Sequence, residues 1–131
     1  MEKCIKKMKP GVYNMCWIID VKDASLSLST VKQVKDMFTK MGDYYTERLG
    51  RCIVINYSFT MGLIWNFVKP FLAPETVAKY QLMKGGKDEL LPAFTKYVDK
   101  SQLIQEFYGD AKYVYDFDKS LKQEQESLQK K

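Results

Sequence analysis

Few residues in this chain are equipped for chemistry. Histidine is absent, which removes Cys/His zinc sites, Ser–His and Cys–His nucleophile pairs and the commonest general base. Cys4, Cys16 and Cys52 are odd in number, far apart and form no CxxC, so they read as reduced thiols. Asp20 and Asp23 flank Lys22 at the end of an apolar run. Paired carboxylates of this kind bind Mg²⁺ or exchange protons, but no Gly-rich phosphate loop accompanies them. Gly85-Gly86-Lys87 lacks the first glycine of a P-loop and the Ser/Thr after the lysine. Both stretches read as solvated turns. Glu47, in TERLG, and Lys79, in ETVAKYQL, are an acid and a base that composition alone leaves as surface charges. No catalytic residue and no metal site is expected.

The balance of charge narrows the partners. The net charge is +5, carried almost wholly by lysine, with Arg48 and Arg51 the only arginines. Reading of DNA bases leans on bidentate arginine, whereas scattered lysines suit an anionic membrane surface. Aromatic and charged residues interleave from Tyr108 to Phe117, as in a stacking platform for single-stranded nucleic acid. A docked tail has the same pattern, and no nucleic-acid partner is expected. No apolar run approaches the roughly 18 residues that span a bilayer. The basic start, MEKCIKKMKPG, has no signal-type apolar block behind it. A cytoplasmic, peripherally membrane-associated protein is the expectation.

With 131 residues the chain is long enough for one domain. Met1 to Lys9 reads as the tail of a helix stopped by Pro10-Gly11. Val12 to Val21 is apolar, β-branched and aromatic, a buried strand. Ser29 or Thr30 caps a helix whose apolar face is Val31, Val34, Phe38, Met41 and Tyr45, running to Glu47 with Gly50 as its stop. Arg51 to Tyr57 is a second buried strand. A greasy helix from Thr60 to Leu72 follows, then a turn at Ala73-Pro74, a short helix to Lys79 and a third strand, Tyr80 to Met83. Helices are expected over Asp88–Val98 and Ser101–Phe107. Beyond Asp110 the chain becomes polar, a docked or frayed tail. Strand and helix alternate, which implies an α/β fold with a mostly parallel sheet and crossover helices.

Four motifs, in order, resemble the CRAL-TRIO lipid-binding family. WIIDVKDASLS is similar to the family's apolar strand followed by Asp-x-Lys-Gly-x-Ser. YYTERLGRCIVINYSF is similar to Tyr-Pro-Glu-Arg-x-Gly, a strand and Asn-Ala-Pro. IWNFVKPFLAPETVAKYQLM is similar to a helix with Lys-Pro-Phe-Leu, then Thr-x-x-Lys and a strand. KSQLIQEFYGD is similar, more distantly, to the closing Leu-Pro-x-x-x-Gly-Gly. Asp23 stands where the family has Gly, Thr46 where it has Pro, Tyr57-Ser58 where it has Ala-Pro, and Ile104 and Tyr108 where it has Pro and the first Gly.

The resemblance implies a CRAL-TRIO-like fold, N-terminally truncated. Residues 1–110 would be the C-terminal part of the lipid-binding domain and 111–131 the tail. It implies a sheet-floored pocket closed by a gate helix, Phe59 to Leu72. Glu47 and Lys79 would hold an inositol phosphate headgroup. Met15, Trp17, Ile19, Cys52, Val54, Tyr80 and Leu82 from the strands would line the pocket. Tyr45, Ile64, Phe67, Val68 and Phe71 would join them from the helices. Members that bind phosphatidylcholine use hydroxyl side chains on the first of these strands, where Met15 and Trp17 stand here. The implied function is non-enzymatic binding and transfer of a phospholipid, phosphatidylinositol-like in headgroup, with no cofactor beyond that ligand. The alternative is an adaptor module for a protein partner such as a small GTPase. An exposed sheet edge would favour a homodimer.

Overall fold

The computed structural model describes residues 2–24, 32–33, 36, 40, 44–45, 47–113 and 116–129. Two compact units make up the chain, Met1–Tyr97 and Val98–Lys131. The expected division at residues 110 and 111 falls inside the second. Val31, Val34, Phe38 and Met41 of the expected amphipathic helix lie outside the described residues, as do Val114 and Tyr115 of the tail. Lys32, Gln33, Asp36, Lys40 and Tyr44 are helical.

The first unit is built on a three-stranded parallel sheet in the order β1 (Met15–Asp20), β2 (Leu49–Ile55), β3 (Tyr80–Met83). The apolar side chains on both faces of β2 are what a central parallel strand requires. β1 starts later than the apolar run predicts, because Val12 and Tyr13 are exposed and the ladder opens with the Met15 N–H donating to the Arg48 carbonyl at 2.7 Å. β2 starts earlier than predicted. Gly50 lies within it instead of stopping a helix, and the left-handed residue is Glu47, with φ 61°. A Cβ on Gly50 would press on the Asn14 side chain at 3.0 Å, so glycine permits this close approach. Beyond the paired ends, the Asn56 amide donates to both carboxylate oxygens of Asp20 at 3.1 Å, and the Lys22 N–H donates to the same group at 2.9 Å. Asp20 thus ties the first strand to the second and shapes its own turn.

The helices follow local rules. α1 covers Glu2–Lys6. α2 covers Phe59–Val68, and the Ser58 hydroxyl caps it by accepting from the Met61 N–H at 3.1 Å. Ser58 stands where the resemblance expects proline, and supplies the start by capping instead. Pro70 ends α2 and leaves a 3₁₀ turn, Lys69–Phe71, so the helix is shorter than the greasy run. α3, Pro74–Lys79, opens on proline, whose missing N–H is harmless there. α4, Lys87–Thr95, is reached through Gly85 at φ 123°, and the Gly86 N–H donates to Glu89 at 2.9 Å. Cys52, Ile53, Ile55, Leu49, Leu90 and Phe94 form the buried core of this unit.

In the second unit the helix expected over Ser101–Phe107 does not form. The Asp99 carboxylate accepts from the Ser101 N–H at 2.8 Å and from its hydroxyl at 2.5 Å, a local bond that competes with helix. Ile104 is extended and bridged to Ala111, and only Gln105–Phe107 makes a 3₁₀ turn. Tyr108 is left-handed, φ 65°. A Cβ on Gly109 would collide with the Leu103 carbonyl. α5, Phe117–Gln129, is a helix whose start Asp116 caps by accepting from the Lys119 N–H at 2.9 Å.

Two tests follow from this core. Phe94→Ala should cost about 3–5 kcal/mol in urea unfolding, whereas Phe67→Ala, at an exposed site, should stay within about 0.5 kcal/mol. Burial, with a smaller contribution from Cys16, pushes the Cys52 thiol up to about 12 from its ordinary 9.0. The folded state therefore keeps a proton that the unfolded state releases above pH 9, so stability falls as the pH rises from 9 towards 12. Denaturant midpoints at pH 8, 9.5 and 10.5 should decline in that order. The Cys52→Ala variant should flatten the decline.

Candidate functional site

Parallel pairing settles which side chains share a face. Trp17 pairs with Cys52 and Cys52 with Tyr80, and Ile19 pairs with Val54 and Val54 with Leu82. Two cross-strand rows of apolar and aromatic side chains therefore lie side by side on one face. The register slips between Met15 and Cys16, so Met15 stands outside these rows. On the other face Ile53 and Ile55 are fully covered. On the Trp17 face only Cys52 is buried, and Trp17, Ile19, Val54, Tyr80 and Leu82 are half-buried. Cys16, Ile18, Gln81 and Met83 on the Ile53 face are half-buried too, so burial is complete only along the central strand and the edge strands stay partly open.

α2 reaches the Trp17 face. The rings of Trp65 and Tyr80 lie 5.1 Å apart, tilted by 39°. Ile64 and Val68, also expected in the pocket wall, are half-buried, as is Tyr45. Phe67 and Phe71 are exposed at 72% and 77%, together with Phe59 at 78% and Leu63 at 52%. These four recur every four residues. Phe67 and Phe71 touch at 5.8 Å between ring centroids. The element thus carries one apolar side toward the sheet and a second apolar stripe toward solvent.

The charged pair is placed by the ends of the strands. Glu47 is exposed, two residues before β2. Lys79 is half-buried, the last residue of α3 and the one before β3. Since β2 and β3 are parallel, both stand at the amino end of the sheet. Tyr80 pairs with Cys52, so Lys79 is level with Arg51, four positions after Glu47. At about 3.3 Å per residue that offset is at most about 13 Å along the strand. Burial raises the Tyr80 phenol as well, Cys52 adding to it, so neither titratable group of the Trp17–Cys52–Tyr80 row is charged at neutral pH. On the opposite face burial raises the Cys16 thiol, with Arg51 opposing. Among the described residues no group of three His, Cys, Asp or Glu is placed to hold a metal.

Arg51 is the residue that sequence reasoning passes over. Its Nη1 donates to the Ala78 carbonyl at 2.9 Å and its Nη2 to Gln81 Oε1 at 2.8 Å, and its guanidinium lies 5.4 Å from the Tyr97 ring centre. The available signal was an arginine inside an otherwise apolar strand. The Arg48 side chain, by contrast, donates to the Tyr13 carbonyl at 3.1 Å.

The profile of the CRAL/TRIO domain family matches residues 1–109. A CRAL-TRIO domain-containing protein of Schizosaccharomyces pombe is 30% identical over 120 residues, covering 91% of this chain and 11% of that protein. A phosphatidylinositol/phosphatidylcholine transfer protein of Arabidopsis thaliana is 34% identical over 110 residues, 81% of this chain and 19% of its own. The SEC14 cytosolic factor of Candida glabrata is 32% identical over 124 residues, 79% of this chain and 40% of its own. The chain thus spans well under half the length of each. No helix among the described residues is long and apolar enough to cross a membrane. With the family profile running from the first helix through the whole parallel sheet and past Leu103, the chain belongs to the CRAL/TRIO domain family.

Proposed function

We propose that this chain is a non-enzymatic lipid-binding element that takes up a phospholipid, with a preference for a phosphatidylinositol-like headgroup, and passes it between membranes. One observation carries the reading: a partly open apolar sheet face, Trp17–Cys52–Tyr80 beside Ile19–Val54–Leu82, with the greasy helix α2 set against it through Trp65. Acyl chains supply most of the affinity. Each buried CH₂ is worth roughly 0.8 kcal/mol, so one long chain supplies on the order of 10 kcal/mol. Ile64 and Val68 add to the wall from α2.

The headgroup sets selectivity. Lys79 neutralises the phosphate and Glu47 accepts hydroxyl hydrogens from the inositol, both from the amino end of the sheet. A relative named as a phosphatidylinositol/phosphatidylcholine transfer protein supports a phospholipid ligand. Met15 and Trp17, which carry no hydroxyl, tilt the choice away from phosphatidylcholine. The exposed stripe of Phe59, Leu63, Phe67 and Phe71 gives α2 a surface to lay on a bilayer while it opens. The protein would work in the cytoplasm and visit membranes peripherally.

Lipid co-purifying with the protein, identified by mass spectrometry, should include phosphatidylinositol. Complete absence of lipid would sink the transfer reading. Lys79→Ala should weaken phosphatidylinositol binding about tenfold, the size of one charged hydrogen bond, and leave phosphatidylcholine binding nearly unchanged. Equal losses for both lipids would refute the headgroup role. The double substitution Phe67→Asp and Phe71→Asp should abolish flotation with vesicles while leaving the thermal midpoint in place.

A further inference from the structure

We propose that Arg51 is a positioning residue: from the sheet face opposite the Trp17–Cys52–Tyr80 row it fixes the joint that carries Lys79, and so sets headgroup selectivity without touching lipid. The selectivity clause rests on the role given to Lys79 above.

Alternation in β2 puts Arg51 on the face opposite Cys52, and therefore opposite the Trp17–Cys52–Tyr80 row. The Tyr97 ring, just past α4, lies near its guanidinium on that side. From there Arg51 reaches two acceptors, the Ala78 carbonyl and Gln81 Oε1. They lie on either side of Lys79 in the chain. Ala78 is in the last turn of α3, where carbonyls lack an intrahelical donor and a cation is favoured. Gln81 lies in β3. No loop separates the two elements, since α3 ends at Lys79 and β3 begins at Tyr80. Holding residues 78 and 81 therefore holds the backbone of residue 79.

The choice of side chain fits this task. A guanidinium presents a planar fork that meets two acceptors at fixed angles, whereas an ammonium is a point charge on a flexible stem. Arg51 spends both terminal nitrogens on the joint, and its buried Nε finds no hydrogen-bond partner among the described residues.

The test compares Arg51→Lys, Lys79→Ala and the double variant in two measurements. One is amide hydrogen exchange. The other is the preference for vesicles containing phosphatidylinositol over vesicles of phosphatidylcholine alone. Arg51→Lys should speed exchange at Tyr80 and Gln81 about tenfold, as expected for losing one charged hydrogen bond at a local opening, and leave Phe94 at its original rate. It should also lower the lipid preference about three- to tenfold, with no further drop when Lys79 is already Ala. Gln81→Leu, which removes one acceptor and keeps Arg51, should move both readouts in the same direction by less. Unchanged exchange at Tyr80 and Gln81 overturns the proposal. So does an equal drop in preference with and without Lys79, since Arg51 would then act by another route. If Lys79→Ala alone leaves the preference unchanged, the headgroup reading falls and takes the selectivity clause with it. The exchange result still decides whether Arg51 holds the joint.

Discussion

Parallel pairing of three strands is the constraint on which the site depends. In a parallel ladder, paired residues face the same way, so the register alone gathers Trp17, Cys52 and Tyr80 from three distant parts of the chain. The same ladder puts the beginnings of β2 and β3 at one end of the sheet, and with them Glu47 and Lys79. The Asp20–Asn56 bond at the far end of β1 and β2 closes the pair there. A slip of one residue would turn every one of these side chains to the other face. The slip that does occur, at Met15 and Cys16, is confined to the first pair, where Gly50 lets the backbone pass close to Asn14.

The two faces of that sheet carry different partners. Ile53 and Ile55 of the central strand are buried on one, where the arginine on their side is held by Ala78, Gln81 and the Tyr97 ring. The Trp17 face is covered only in part, by an α2 that has apolar residues on two sides. For a helix that stayed in one place, the outward stripe of phenylalanines would be a liability. For a helix that trades sheet for bilayer, both sides have a use. Pro70 stops α2 and Pro74 restarts the chain as α3, so the boundaries of the unit that would move are set by residues that cannot continue a helix.

Three departures from the family motifs have local explanations. Ser58, in place of proline, caps α2. Ile104, in place of proline, adopts the extended backbone that proline would have favoured. Tyr108, in place of glycine, still takes a left-handed conformation, at a cost of roughly 1–2 kcal/mol for a non-glycine residue. The glycine that follows is retained at Gly109, where a side chain would strike the Leu103 carbonyl.

The sequence by itself determined the order of elements, the parallel sheet and the family, because continuous apolar runs, prolines and spaced motifs are local signals. It also marked Met15, Trp17, Ile19, Cys52, Val54, Tyr80 and Leu82 as one set, since alternation within each strand is fixed by the pleat, and the pairing puts all of them but Met15 in two rows on one face. Strand ends were misjudged by a few residues, because hydropathy does not reveal where the ladder's hydrogen bonds begin. The helix expected at Ser101–Phe107 failed because the Asp99 side chain competes for the backbone, a bond that propensity does not register. Tertiary structure decided the rest. Sequence periodicity cannot tell which apolar side of α2 meets the sheet, so only the fold turned Trp65 inward and left Phe67 and Phe71 outside. The place of Arg51 was likewise invisible, because its partners, Ala78, Gln81 and Tyr97, are brought to it only when β2 and β3 pair.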